Sequence, residues 1–190
     1  MPSTFEQLER IVLENSYSKN WISAVLEWEI TDTDEDESCE SNCVCGKENI
    51  RYLYTIENTI TKKTLFPIGS SCIKKFNRND LNEQTSITEK LFKLYHAVGN
   101  NQFLSLSTDL FSRKLLQYLY KERAFYSENG KYDEDENYEF LLQMFNKRDK
   151  NSITSGQRRK IAAILLNNIK PFVQKRLASK IKQSPYDFKK

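Results

Sequence analysis

The sequence predicts an α+β protein, with a small β-hairpin module over residues 1–80 and a helical region over 81–190. Three observations predict this. Short runs before residue 70 alternate apolar with polar side chains, the pattern of half-buried strands. After residue 85 the apolar residues recur at three- and four-residue spacing, the pattern of amphipathic helices. All four cysteines lie in one 34-residue window within the strand-rich part.

The elements follow in order. Ser3 and Glu6 stand at capping-box spacing, and Phe5, Leu8, Ile11 and Val12 share one face of the helix they start. From Trp21 to Ile30 the period is two, with Ile22, Ala24, Leu26, Trp28 and Ile30 on one side of a strand. Residues 32–40 read as a solvated acidic loop. Asp32, Asp34 and Asp36 imitate the start of a calcium loop, but Glu37 stands where that loop needs Gly and Cys43 where it needs Glu, so calcium is excluded. Ile50, Tyr52, Tyr54 and Ile56 form a second strand and residues 64–68 a third, joined by the polar turn 58–63. Pro67 places the third strand at a sheet edge or at its own end. Gly69-Ser70-Ser71 stops that strand and opens a helical turn through Cys72, Ile73 and Phe76.

Four helices are expected beyond: 87–98, 108–126, 135–146 and 155–182. Gly99 ends the first, and the second ends near Gly130. The acidic cluster 132–138 suits the start of the third. Thr154 and Gln157 form a capping box for the last, and Pro171 is expected to kink or break it.

Composition narrows the function. Ten Tyr and eleven Phe argue for a folded chain, although 29% of residues are charged. No run reaches the roughly 18 apolar residues of a membrane span, and no apolar stretch follows Met1, so an intracellular, cytoplasmic protein is expected. The five glycines are too far apart for a dinucleotide fingerprint or a P-loop. A single histidine, His96, excludes any site needing two imidazoles. The net charge of +3 conceals a split. Residues 146–190 hold 13 Lys and Arg against two carboxylates, a balance of +11, while residues 1–145 hold 16 against 24, a balance of −8. A basic segment beside an acidic body reads either as a solvated helix face or as a nucleic-acid partner surface.

The four cysteines are Cys39, Cys43, Cys45 and Cys72. Disulfides do not suit a chain without export signals, and unrelated buried thiols would scatter into the second half, where none occurs. The remaining reading is one four-thiolate zinc site of the closed, structural kind. Cys43-Val44-Cys45-Gly46 makes a tight turn in which Gly supplies a conformation other residues resist. Cys72 then falls at a helix start, where unpaired N–H groups favour a thiolate. Knuckle, hairpin and helix-borne ligand together make the treble-clef-like arrangement. One residue rather than the usual two separates Cys43 from Cys45, and His96 or a carboxylate is the alternative to Cys39 as fourth ligand.

Trp21, Glu27-Trp28-Glu29, Cys43-Val44-Cys45-Gly46, Ile56-Glu57-Asn58 and Ile68-Gly69-Ser70-Ser71-Cys72-Ile73-Lys74-Lys75-Phe76 resemble a zinc-motif family of phages and mobile elements of Gram-positive bacteria. The resemblance covers 21–76 and extends more loosely to 140–145 and 154–169. It implies a zinc-bound module in an accessory protein, in a context that includes anti-CRISPR inhibitors. The family's hairpin turn ends in Gly, where this chain has Lys62 or Lys63.

No catalysis is expected. Cys72 is better explained as a ligand than as half of a thiol–imidazole pair with His96, and Cys43-Val44-Cys45 lacks the Glu of a zinc deaminase signature. For nucleic acid, the candidate residues are Lys74, Lys75, Arg78, Arg158, Arg159, Lys160, Lys175 and Arg176, with Tyr52, Tyr54 and Phe66 available either to stack bases or to fill the small core. The alternative is an inhibitor of a host CRISPR effector nuclease, its acidic segments 32–40 and 133–139 occupying a basic channel.

Overall fold

The computed structural model describes residues 4–100, 106–126 and 133–182. Ser3 of the first capping box, Gly130 and Tyr132 lie outside them. The protein is α+β, and the chain divides into two units: 1–85 with 180–190, and 86–179. Residues 180–182 therefore rejoin the first unit, which no hydropathy pattern signals.

In the first unit, α1 (Thr4–Asn15) buries Leu8 and Val12. The strand expected from Trp21 begins only at Trp28. Asn20 accepts from the Ile22 and Ser23 N–H groups at 3.0 and 3.4 Å, which starts the short helix α2 (Trp21–Ala24) and then a 3₁₀ turn, Val25–Glu27. Ile22 and Leu26 consequently end 75% and 65% exposed. Strand β1 (Trp28–Asp36) runs through the segment read as an acidic loop. It pairs antiparallel with β2 (Tyr52–Asn58), Glu29 opposite Glu57 and Glu35 opposite Tyr52. Strand β3 (Thr64–Gly69) pairs with β2 at the sheet edge, where Pro67 lacks only a donor the edge does not need.

The acidic strand persists because its charges have partners. Glu35 is fully buried against Arg51 at 2.6 Å, and Lys180 Nζ meets both Asp32 oxygens at 2.6 Å. Beyond it, β4 (Ile181–Lys182) lies parallel to β1. The turn 58–63 is built by Asn58, whose Oδ1 accepts from Ile60 and Thr61 N–H at 2.9 and 2.8 Å. Lys62 takes the left-handed conformation there, at φ 59°. The core gathers Trp28, Leu53, Tyr54, Ile56, Ile68 and Ile73, so Tyr54 is a core residue. Phe66 keeps 41% of its surface exposed. Helix α3 (Ser70–Lys74) follows β3 directly.

Helix α4 (Asn79–Gly99) starts eight residues before the expected 87 and carries the chain into the second unit. There α5 (Arg113–Lys121) is shorter than the predicted 108–126. Ser112 caps its start, accepting from Leu115 N–H at 3.1 Å. Its end is a Schellman turn, with Ala124 N–H donating to Leu119 at 2.8 Å and Arg123 N–H to Tyr120 at 3.0 Å. Arg123 takes the glycine position, at φ 60°. Helix α6 (Glu134–Asn146) is capped by Asp133.

The long last helix is interrupted. Helix α7 (Ser155–Ile164) opens with the Thr154–Gln157 capping box. A π turn, Leu165–Ile169, then leads into α8 (Lys170–Leu177), with Lys170 N–H reaching back to Leu165. Pro171 has no N–H and its ring would strike the carbonyl four residues back. A wider turn just before it absorbs both problems.

Candidate metal centre

Cys43 and Cys45 sit in the connection between β1 and β2, and Cys72 sits in α3. Backbone hydrogen bonds fold the connection into a knuckle: Cys43 N–H to Lys47 and Gly46 N–H to Cys43, both 2.8 Å. Gly46 has φ 84°, as its place in the turn requires. Val44 ties the knuckle to β3 through the Pro67 carbonyl at 3.0 Å, and Gln7 of α1 donates to the Val44 carbonyl at 3.2 Å. Lys47 Nζ lies 3.2 Å from Ser71 Oγ, joining knuckle to α3.

The three sulfurs converge. Cys72 Sγ is 3.6 Å from Cys43 Sγ and 3.1 Å from Cys45 Sγ, and all three lie within 4.8 Å of one another. The edge of a tetrahedron with metal–sulfur bonds of about 2.3 Å is about 3.8 Å, so the spacing fits one ion. Exposures of 4%, 1% and 1% for Cys43, Cys45 and Cys72 make it a buried, all-sulfur donor set able to hold a metal ion.

The buried thiols shift one another in opposite directions. The hydrogen-bonded contact with Cys72 lowers the Cys43 thiol from its ordinary range, with burial opposing and the Gly69 N–H, 3.4 Å away, assisting. The same contact with Cys43, together with burial, pushes Cys72 up.

Cys39 does not join the cluster. It occupies a left-handed turn after β1, φ 55°, and its Sγ faces the Glu37 carbonyl at 3.9 Å. Asp36 fixes that turn. Its buried carboxylate accepts from the Ser38 and Ser41 hydroxyls, both at 2.6 Å, and from the Ser41 N–H at 2.9 Å. Three cysteines converge rather than four, so closed coordination by cysteine alone is not what this chain presents. No signal in spacing distinguished Cys39, and none marked Gln7 or Asp36 as supports. His96 belongs to the second unit.

The predicted cations divide by what holds them. Arg78 is structural: it donates to the Trp28 and Val25 carbonyls at 2.5 and 3.2 Å and pairs with Asp80. Arg158 caps the turn before α7 through the Ile153 and Lys150 carbonyls at 3.2 and 3.1 Å. Arg176 pairs with Glu122 at 3.3 Å, and Lys75 lies over the Phe5 ring. Lys74, Arg159, Lys160 and Lys175 are exposed. Among the described residues no helix is long and apolar enough to cross a membrane. Compared with protein-family models, curated proteins and solved structures, the chain matches none.

Proposed function

We propose that Cys43, Cys45 and Cys72 hold a structural zinc ion in a treble-clef-like module, and that the protein is a non-catalytic binder of nucleic acid. The convergence of three buried sulfurs carries the first half of this reading. Thiolate-only sites favour zinc, and with three protein ligands the fourth position is left to a ligand from outside the cluster. The ion would tie the knuckle, β3 and α3 together, in a module otherwise secured by a three-strand antiparallel sheet and short helices.

The second half rests on the exposed cations of α7 and α8, Arg159, Lys160 and Lys175, within the +11 segment. Their charge suits phosphate, and the resemblance to accessory proteins of phages and mobile elements agrees with such a partner. The reading as a CRISPR-nuclease inhibitor has less support, because Asp32, Glu35 and Asp36 of its acidic segment are internally paired.

Metal analysis of the purified protein is expected to give one zinc per chain, lost on Cys72→Ser. Fluorescence anisotropy with labelled oligonucleotides is expected to show binding that weakens roughly tenfold or more between about 50 and 200 mM salt. Metal-free protein of unchanged stability, or no oligonucleotide affinity at low salt, refutes the respective half.

A further inference from the structure

The first unit carries a cavity of about 150 Å³ beside the cysteine knuckle. The segment entering β2 contributes Lys47 and Arg51 to its lining, and the junction of β3 with α3 contributes Ser70 and Ser71. These two walls meet at Ile50 and Gly69. A Cβ on Gly69 would come within 3.2 Å of Ile50 Cγ2, so the missing side chain lets the walls close on each other. The volume lies below the roughly 300–1,000 Å³ of small-molecule sites, so the space suits one compact group. Its lining holds two cations and no carboxylate, and its other polar side chains are neutral. That composition repels a metal ion and favours an anion that accepts several hydrogen bonds.

The donors are held in place. Ser71 accepts from Lys47 Nζ at 3.2 Å, which leaves its own O–H to donate. Among the described residues the Arg51 side chain donates only to the buried Glu35 carboxylate, through Nε at 2.6 Å. That pair orients the guanidinium and leaves its terminal nitrogens for another acceptor. The backbone of the same wall is pinned by Ile50 N–H to the Ser41 carbonyl at 2.9 Å and by Asp36 N–H to the Arg51 carbonyl at 2.7 Å.

We infer that this cavity binds a phosphate group, with Lys47 and Arg51 meeting its charge and the Ser70 and Ser71 hydroxyls donating to its oxygens. A guanidinium offers phosphate a two-pronged fork, an ammonium offers a point charge, and serine hydroxyls are common partners of phosphate oxygens. The phosphate is either free or part of a nucleic-acid strand. Only the strand case rests on the nucleic-acid function proposed above, and it adds a contact in the first unit to those of α7 and α8.

Amide-resolved NMR titration of the full chain tests this, with sodium phosphate, with sodium chloride at matched ionic strength, and with a single-stranded oligonucleotide. Phosphate is expected to move the Lys47, Ser70 and Ser71 amide signals to saturation, and chloride is expected to leave them in place. Lys47 is exposed, so Lys47→Glu is expected to fold and to weaken phosphate binding roughly tenfold or more. Arg51→Lys keeps a charge beside Glu35 but loses the fork, and is expected to weaken binding about threefold. An oligonucleotide that moves the same signals, and binds less tightly to Lys47→Glu, identifies a strand as the source. Phosphate binding without any oligonucleotide response keeps the site for a free phosphate and refutes the nucleic-acid function. Oligonucleotide binding that spares these signals and ignores Lys47→Glu, with no response to phosphate, keeps that function and overturns the site. A chloride response as large as that of phosphate, phosphate shifts that Lys47→Glu leaves unchanged, or no saturable shift with any probe also overturns the inference.

Discussion

The first unit buries three carboxylates, where the second, among the described residues, buries only the amides of Asn137 and Asn168 as polar side chains. In the first, Glu27 is 5% exposed and its carboxylate accepts three hydrogen bonds of 2.8 Å, from Tyr17 and Ser18 N–H and from Asn58. Asp36, Glu35 and Arg78 are similarly surrounded. Atoms without a hydrogen-bond partner occur in both units, Asn82 Oδ1 in the first and the Asn137 nitrogen and one Glu134 oxygen in the second. Fully satisfied polar groups such as the Glu27 carboxylate fix a unique geometry.

Breaking the cysteine cluster should separate the units most sharply. Bound zinc contributes on the order of 10 kcal/mol to folding of a small module. Cys72→Ser is therefore expected to remove the metal and give the largest fall in thermal stability, measured by calorimetry with and without chelator. Cys39→Ser is expected to keep the metal and change stability by less than about 0.5 kcal/mol.

Glu27→Gln comes next, at about 2–3 kcal/mol, since charge-assisted hydrogen bonds are lost in a buried place. Burial opposes the charge, yet the bonds from Asn58, Ser18 and Tyr17 outweigh it and hold this carboxyl at about 2, below its ordinary 4.5. A lowered folded value means that the contribution is complete above pH 4.5 and lost as pH falls toward 2. Urea titrations across that window should show a shallower loss of stability in the Gln variant.

In the second unit, Thr154→Ala removes one half of a capping box and is expected to cost about 1 kcal/mol, read from the same titrations at neutral pH. The smallest effects compare two of the left-handed positions, Lys62 and Arg123. Lys62→Gly should stabilise by about 0.5–1 kcal/mol, because Gly accepts this conformation freely. Arg123→Gly should gain less, since it also loses the Tyr126 ring, 4.9 Å away, and Glu134 at 3.5 Å.

The sequence made the hairpin, the edge position of Pro67, the Thr154 cap and the helical second half legible, because alternation, proline chemistry and capping are local. It also located the cysteine cluster, since thiols in a knuckle declare themselves by spacing and Gly46. What it missed depended on partners distant in the chain. The acidic strand β1 exists because Arg51 and Lys180 neutralise it, and alternating carboxylates alone read as loop. Asn20 redirected the expected first strand through one side-chain cap. Cys39, the one ligand for which the sequence offered an alternative, is turned aside by the Asp36 carboxylate. Lys62 and Arg123 occupy glycine positions, so the turn signal at each was silent.

The pairing of Ile181 and Lys182 with Glu35 and Asp36 has a bearing on biosynthesis. Strand β1 is translated well before β4, so the end of its outer edge that β4 pairs, Glu35 and Asp36, stays uncovered until the intervening stretch has been made. At 5–20 residues per second that interval is roughly 7–30 seconds. Through it, Asp32 and Asp34 stand guard as like charges on an open edge, discouraging neighbouring nascent chains from adding a strand of their own.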